Sequence, residues 1–181
     1  MKKTIKKILL LTFAAVALWS CSSDDSNVRS DDFENGIVLA ADITTNVIFN
    51  GNLDGNLNAN LEYRDAENGV LLDKLDVFIT YLDRTEDAGN SENAITEEVL
   101  LRTIEDTSFS NGENDFPVHN LVITTEDFLS ITNNTLDGIA TGDQYLTRFE
   151  VTLTDGRVFS INNIGSNGGL ISVFNVVTSV E

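Results

Sequence analysis

Cysteine, histidine, proline, tryptophan and methionine each occur once in the 181 residues, as Cys21, His119, Pro117, Trp19 and Met1. One cysteine leaves no thiol pair for a disulfide within the chain, so the fold must hold by its core. One histidine excludes a zinc site built on two imidazoles, and any Ser–His–acid triad would have to pass through His119. No serine lies in a nucleophile-elbow motif. Basic residues are scarce as well. There are 11 Lys and Arg against 29 Asp and Glu, a formal net charge of −18. Such a surface repels nucleic acid and anionic headgroups, and it can hold divalent cations. The phosphate-binding glycine loop is missing: residues 165–169 lack the lysine and the strand-to-helix setting that such a loop needs. The expectation from these absences is a chain that is not an enzyme.

What is present begins with a basic stretch. Lys2, Lys3, Lys6 and Lys7 precede the apolar run Ile8–Leu18, which is too short to cross a bilayer comfortably and reads as a secretory signal. Leu18-Trp19-Ser20-Cys21 follows. It resembles a bacterial lipobox, with an aliphatic residue at −3, a small one at −1, and then the cysteine that becomes acylated. Residues 1–20 are therefore expected to be a lipoprotein signal peptide, with Cys21 the lipid-attachment residue. Removal of this segment takes four lysines, Trp19 and Met1 with it, and the acidic excess grows. Residues 21–35 are polar and acidic without an apolar period, as in a disordered tether. Within them Ser23-Asp24-Asp25 resembles the acidic export signal of surface-exposed lipoproteins. Ser22, rather than aspartate, follows the cysteine, which favours the outer membrane over inner-membrane retention. The expected location is the outer membrane, lipid-anchored and facing the exterior.

Residues 36–181 read as one β domain. Tyr145, Phe149, Val151 and Leu153 alternate along one face of a strand. Asp155-Gly156 predicts a tight type I′ turn, and Val158, Phe159 and Ile161 predict the return strand. Leu57, Ala59, Leu61 and Tyr63 alternate with polar residues, as do Leu75, Val77, Ile79 and Tyr81. Phe78 and Leu82 add apolar groups on the second face, so 75–82 is expected to be a central strand. Shorter runs at 37–41, 99–104, 116–123 and 170–177 complete the set, with an irregularity expected near His119-Asn120. Pro117 places the start of its strand at an edge. Thr124-Thr125-Glu126-Asp127 predicts the start of one short helix. Strands at intervals of about 8–12 residues with turn signals between them predict an all-β antiparallel sandwich, with a barrel as the alternative.

Three stretches then carry a resemblance. They are 75–83 (Leu-Asp-Val-Phe-Ile-Thr-Tyr-Leu-Asp), 98–104 (Glu-Val-Leu-Leu-Arg-Thr-Ile) and 142–157, from Gly-Asp-Gln-Tyr to Asp-Gly-Arg. The domain resembles, over roughly residues 36–178, surface lipoproteins encoded beside outer-membrane uptake systems of the SusC/SusD type. The resemblance rests on strands and turns and contains no catalytic signature. It implies an immunoglobulin-like or fibronectin-like sandwich on the outer membrane. It implies a non-catalytic role as an accessory or structural subunit beside SusC/SusD-like partners, or alternatively as an extracellular glycan-binding module. It transfers no functional residue.

Two stretches invite cations. Asn50, Asn52 and Asp54 place oxygen ligands at alternate positions before Gly55, as a calcium loop does. The pattern fails at its first position, which is Asn, and at its twelfth, where Leu61 precedes Glu62. Two successive turns explain the stretch as well. Asp83, Glu86, Asp87, Asn90 and Glu92 form the second candidate, which also reads as a solvated acidic loop guarding a sheet edge. No cofactor is expected, with Ca2+ the one to test. For stacking on sugars only Tyr63, Tyr81 and Tyr145 remain, and their alternation turns each of them inward.

Overall fold

The computed structural model describes residues 36–85, 95–162 and 173–181. Cys21, Ser23, Asp24 and Asp25, with the signal and tether, lie outside the described residues, as do Glu86, Asp87, Asn90 and Glu92. The chain forms β1 (Val38–Ile48), β2 (Asn56–Arg64), β3 (Leu72–Leu82), β4 (Val99–Glu105), β5 (Ser110–Asn111) and β6 (Pro117–Thr124). Helix α1 (Thr125–Thr132), β7 (Gln144–Leu153), β8 (Val158–Ser160) and β9 (Asn175–Val180) follow. The fold is all-β with one short helix.

The strands form one curled, hydrogen-bonded sheet in the order β4-β3-β7-β9-β1-β2-β6-β5, with β8 paired to β7. Two antiparallel blocks make up this path. In one, β3 lies between β4 and β7, and β7 passes on to β9. In the other, β2 lies between β1 and β6. The blocks are joined by a parallel contact of two residue pairs, Val47↔Ser179 and Ile48↔Val180. The core draws on both. Leu57, Ala59, Leu61 and Tyr63 from β2 meet Leu75, Val77 and Ile79 from β3 and Tyr145, Phe149 and Val151 from β7, all of them fully buried. Each large apolar side chain hidden in this way contributes roughly 1.5–3 kcal/mol. Alternate side chains of each strand point to one side, which allows that face to be wholly dry, and β3 is largely buried on its other side as well.

Helix α1 starts where its sequence says. The Thr124 hydroxyl accepts from Asp127 N (3.1 Å), and Asp127 Oδ2 accepts from Thr124 N (3.0 Å), a reciprocal capping box. Asn133 closes the helix in the left-handed region at φ 57°. The helix packs on β3, β4 and β6 and buries Phe128 and Leu129. An Arg102–Asp127 ion pair at 3.1 Å ties it to β4.

Four expectations need correction. Asp155 keeps a negative φ, and of the two turn residues only Gly156 is left-handed, at φ 85°. Gly156 N donates to Leu153 O and Leu153 N to Arg157 O, so the hairpin closes by a type I turn and a glycine bulge, not a type I′ turn. The return strand is only Val158–Ser160, with Val158 and Ile161 exposed and Ser160 buried. No irregularity occurs at His119-Asn120, since β2 and β6 stay in register from Asn56↔Thr124 to Glu62↔Val118. The change of apolar parity there has another cause. Val118 points away from the core and lies against Gly112, where an added Cβ would sit 2.7 Å from it. Finally, the last strand is Asn175–Val180 rather than 170–177; residues 170–172 lie outside the described residues.

Candidate functional site

Two buried aspartates organise the two ends of β3. Beyond the end of β2, Asp65 is 1% exposed and accepts four hydrogen bonds. Glu67 N (2.8 Å) and Gly69 N (2.7 Å) donate to Oδ1, and Tyr63 Oη (2.9 Å) and Leu71 N (3.1 Å) donate to Oδ2. The side chain thereby replaces the backbone acceptors that the turn from 65 to 71 lacks. Asn68 and Gly69 take up the left-handed φ values of 57° and 89° that the turn requires.

At the other end Asp143, also 1% exposed, accepts from Arg84 N (2.9 Å) and Thr85 Oγ1 (3.0 Å) on Oδ1. Its Oδ2 accepts from Tyr81 Oη (2.5 Å) and Ala140 N (2.8 Å). Burial alone would raise this carboxyl's pKa, but the donors from Tyr81, Arg84, Ala140 and Thr85 outweigh it and hold the group below the ordinary carboxylate value. Tyr63 and Tyr81 move the opposite way. Burial first, and then the neighbouring carboxylate, pushes each phenol well above its ordinary value. Both tyrosines are therefore fixed donors. Tyr145, whose pKa burial also raises, stacks between Tyr81 and Phe128 at centroid distances of 5.0 and 4.9 Å.

A cleft of about 340 Å³ opens beside the Asp65 turn. Val70 and Gly69 form one lip, and Leu72, Phe109 and Pro117 supply the apolar wall. Asp106, Ser110 and Asn111 border it with a carboxylate, a hydroxyl and an amide. Its lips sit close because Gly69 has no side chain: a Cβ there would lie 2.2 Å from Pro117 Cδ. Val70 is 70% exposed, yet hydrogen bonds from Gly69 N and Leu71 N to Asp65 fix the backbone on both sides of it.

A second feature lies on the outward face of the β4-β3-β7-β9 block. Arg148 holds Glu98 through two parallel bonds (2.7 and 2.8 Å), bonds Glu150 (3.0 Å) and lies 4.2 Å above the centre of the Phe78 ring. The bonds to Glu98 raise its pKa further above the usual arginine value. Leu100, paired with Phe78, is 46% exposed, and Val177, paired with Leu146, is 43% exposed.

The residues singled out in the sequence sit as follows. Asn50, Asn52 and Asp54 are exposed and form turns, with Asn52 Oδ1 occupied by Asp54 N at 2.9 Å. Leu61, at the twelfth loop position, is buried in the core, and Glu62 pairs with Arg64. Asp83 is buried and accepts from Thr85 N. Among the described residues no three His, Cys, Asp or Glu side chains gather closely enough to hold a metal ion. His119 Nδ1 lies 3.0 Å from the Ser108 carbonyl, and its ring packs 5.3 Å from Phe109. Tyr63, Tyr81 and Tyr145 are all buried. No described helix is long and apolar enough to cross a membrane.

Sequence reasoning missed Asp65, Asp143 and the cleft. Asp65 has a local signal, an aspartate two residues before the Glu67-Asn68-Gly69 turn. Asp143 has none, since the side chains it gathers from β3 and the segment after it lie about 60 positions earlier in the chain. Comparison with family models, with curated proteins and with solved structures finds no significant match to this chain.

Proposed function

We propose that this chain is a lipid-anchored protein of the outer membrane, facing the exterior, that works by contact as an accessory or structural subunit of a SusC/SusD-like uptake system. The observation that carries the contact role is the outward face around Phe78. There Leu100 remains exposed next to a Phe78 ring covered by Arg148, and Val177 is exposed two strands away on the same face, which leaves apolar surface open around an arginine, a residue enriched in binding hot spots. Its non-catalytic character is supported by the way the fold uses its candidate groups. The lone imidazole contacts a backbone carbonyl, and the two most deeply buried carboxylates, Asp65 and Asp143, each accept from four donors. Cys21 and Ser23-Asp24-Asp25 support the anchor and the outward address.

An immunoglobulin-like or fibronectin-like sandwich belongs to the same proposal. The strand orders β5-β6-β2-β1 and β4-β3-β7-β9, linked in the curled sheet by only two residue pairs between β1 and β9, support reading the sheet as the two halves of such a sandwich. Tyr145 lies near the start of β7, as a tyrosine corner does, but its hydroxyl accepts from the Asn134 side chain (Nδ2, 3.4 Å) where a tyrosine corner bonds the backbone.

Affinity capture from detergent-solubilised outer membranes tests the contact role. Recovery of a SusC/SusD-type pair with the wild-type chain, and its loss with Leu100→Asp plus Val177→Asp, supports it. Equal recovery with both chains removes this face from the proposal, and turnover of a glycan by the pure protein overturns the non-catalytic role. For the address, Cys21→Ala should abolish fatty-acid labelling. Asp24→Ala with Asp25→Ala should hide the protein from protease added to intact cells. The cleft beside Asp65 favours the second reading, an extracellular glycan-binding module.

A further inference from the structure

We infer that the cleft between the Val70 turn and β5 is a binding site for a neutral polyol of one or two sugar rings, an inference that rests on the glycan-binding reading. Four observations converge on it.

The first is size. About 340 Å³ is at the small end of ligand pockets, which run from about 300 to 1,000 Å³. It suits a terminal or branching unit, not a long chain. The second is preorganisation. The Asp65 carboxylate pins the backbone on either side of Val70, and the missing Cβ of Gly69 lets that turn close on Pro117. A rigid cleft loses little entropy when it is filled.

The third is the division of its surface. Val70, Phe109 and Pro117 offer carbon to the C–H face of a ring. Asp106, Ser110 and Asn111 offer groups that bond hydroxyls, as acceptor, as donor-acceptor, and as both. Asp106 Oδ1 accepts from Thr107 N, which leaves Oδ2 as the oxygen to accept from a ligand hydroxyl. The fourth is charge. No lysine or arginine lines the cleft, and the chain is strongly acidic, so a sulfated or carboxylated ligand would find no counter-charge. Long apolar ligands are disfavoured by three polar residues that they would strip of water.

The test titrates the full-length chain in detergent with neutral methyl glycosides of gluco, galacto, manno and N-acetylglucosamine configuration, and with one sulfated counterpart. Binding is read by calorimetry and by saturation-transfer NMR. The expected result is binding of at least one neutral glycoside and none of the sulfated one. Asn111→Ala should weaken it about tenfold, the loss of one well-placed hydrogen bond. Val70→Arg should block it, and because that side chain is mostly exposed the melting temperature should stay put. Tighter binding of the sulfated glycoside overturns the proposal. Glycoside binding that survives both substitutions overturns this cleft but leaves the glycan reading standing. Absence of binding to every glycoside overturns both.

Discussion

Asp65 and Asp143 are both buried and both accept four hydrogen bonds, yet they work at different ranges. All donors to Asp65 lie within six residues of it, from Tyr63 to Leu71. It folds one turn and shapes one cleft. Asp143 takes Ala140 N from nearby but draws Tyr81, Arg84 and Thr85 from across the chain, with separations of 58 to 62 residues. It fastens the end of β3 to the start of β7. The same carboxylate chemistry thus makes a local scaffold in one place and a tertiary clasp in the other, and the difference lies in who donates.

The sharpest way to break this contrast is to remove each carboxylate in turn. Asp143→Ala leaves a phenol, a threonine hydroxyl and two backbone N–H groups without their acceptor, and should cost about 4 kcal/mol. Urea denaturation should show a lowered midpoint, and amide exchange should accelerate at both Tyr81 and Tyr145. Asp65→Ala should cost less, about 2 to 3 kcal/mol, because its turn can open to water without unhooking strands. Its faster-exchanging amides should be confined to residues 65–72. If Asp65→Ala instead loosens β7, the local role assigned to it is wrong.

A glycine beside each aspartate offers a milder version. Gly69 has φ +89° and sits against Pro117, while Gly142 has φ +108° and a Cβ added there would lie 3.1 Å from Thr85 Cγ2. Alanine is strained at both, at roughly 1–3 kcal/mol for the backbone alone. Gly69→Ala should be the more damaging of the two, because the new Cβ would fall 2.2 Å from a proline ring, which cannot swing aside as a threonine methyl can. Thermal melts of the two variants compare them directly, and equal losses would show that backbone strain, not the Pro117 contact, decides.

The smallest expected effect is in pH. Asp143 is held below its ordinary value of 3.8, so the unfolded chain binds its proton first. Its stabilisation is complete above that value and is lost as pH falls through the folded pKa. Denaturation at stepped pH from about 5 to about 2 should show a shallower acid limb in Asp143→Asn than in wild type. An unchanged slope would mean that the donors do not favour the charged form.

The legibility of the chain follows the same division. Alternation at 57–63, 75–81 and 145–153 marks three buried faces, and Thr124 with Asp127 marks a helix start; each is a signal contained within a few residues. What escaped depends on distant partners or on too few residues. β5 is two residues long and has no period to display. Asp-Gly at 155–156 announces a turn but does not say which, because a single left-handed glycine serves either a bulge or half of a type I′ turn. Val118 broke the apparent alternation of β6 because its packing partner, Gly112, lies across the turn rather than in the core. The cleft is an encounter of the turn at 69–70 with the segment 106–111, and neither stretch names the other.

The seam between the two blocks bears on the order of assembly. Val180 bonds the backbone just before β7 twice, its N donating to Asp143 O and its O accepting from Gly142 N. One residue on, Glu181 N donates to Ile48 O and Glu181 O accepts from Asn50 N. Two consecutive residues therefore stitch β7 to β1. A chain emerging in order can pair β1 with β2 and β3 with β4 early, but those pieces remain halves until residues 173–181 arrive, since Val173 N also donates to Leu39 O and Phe174 O accepts from Phe149 N. Closing contacts so far apart in sequence are slow to form. During that interval the unpaired edges of β1 and β7 are open to other strands, so the time before residues 173–181 pair is when a chaperone would matter most to this protein.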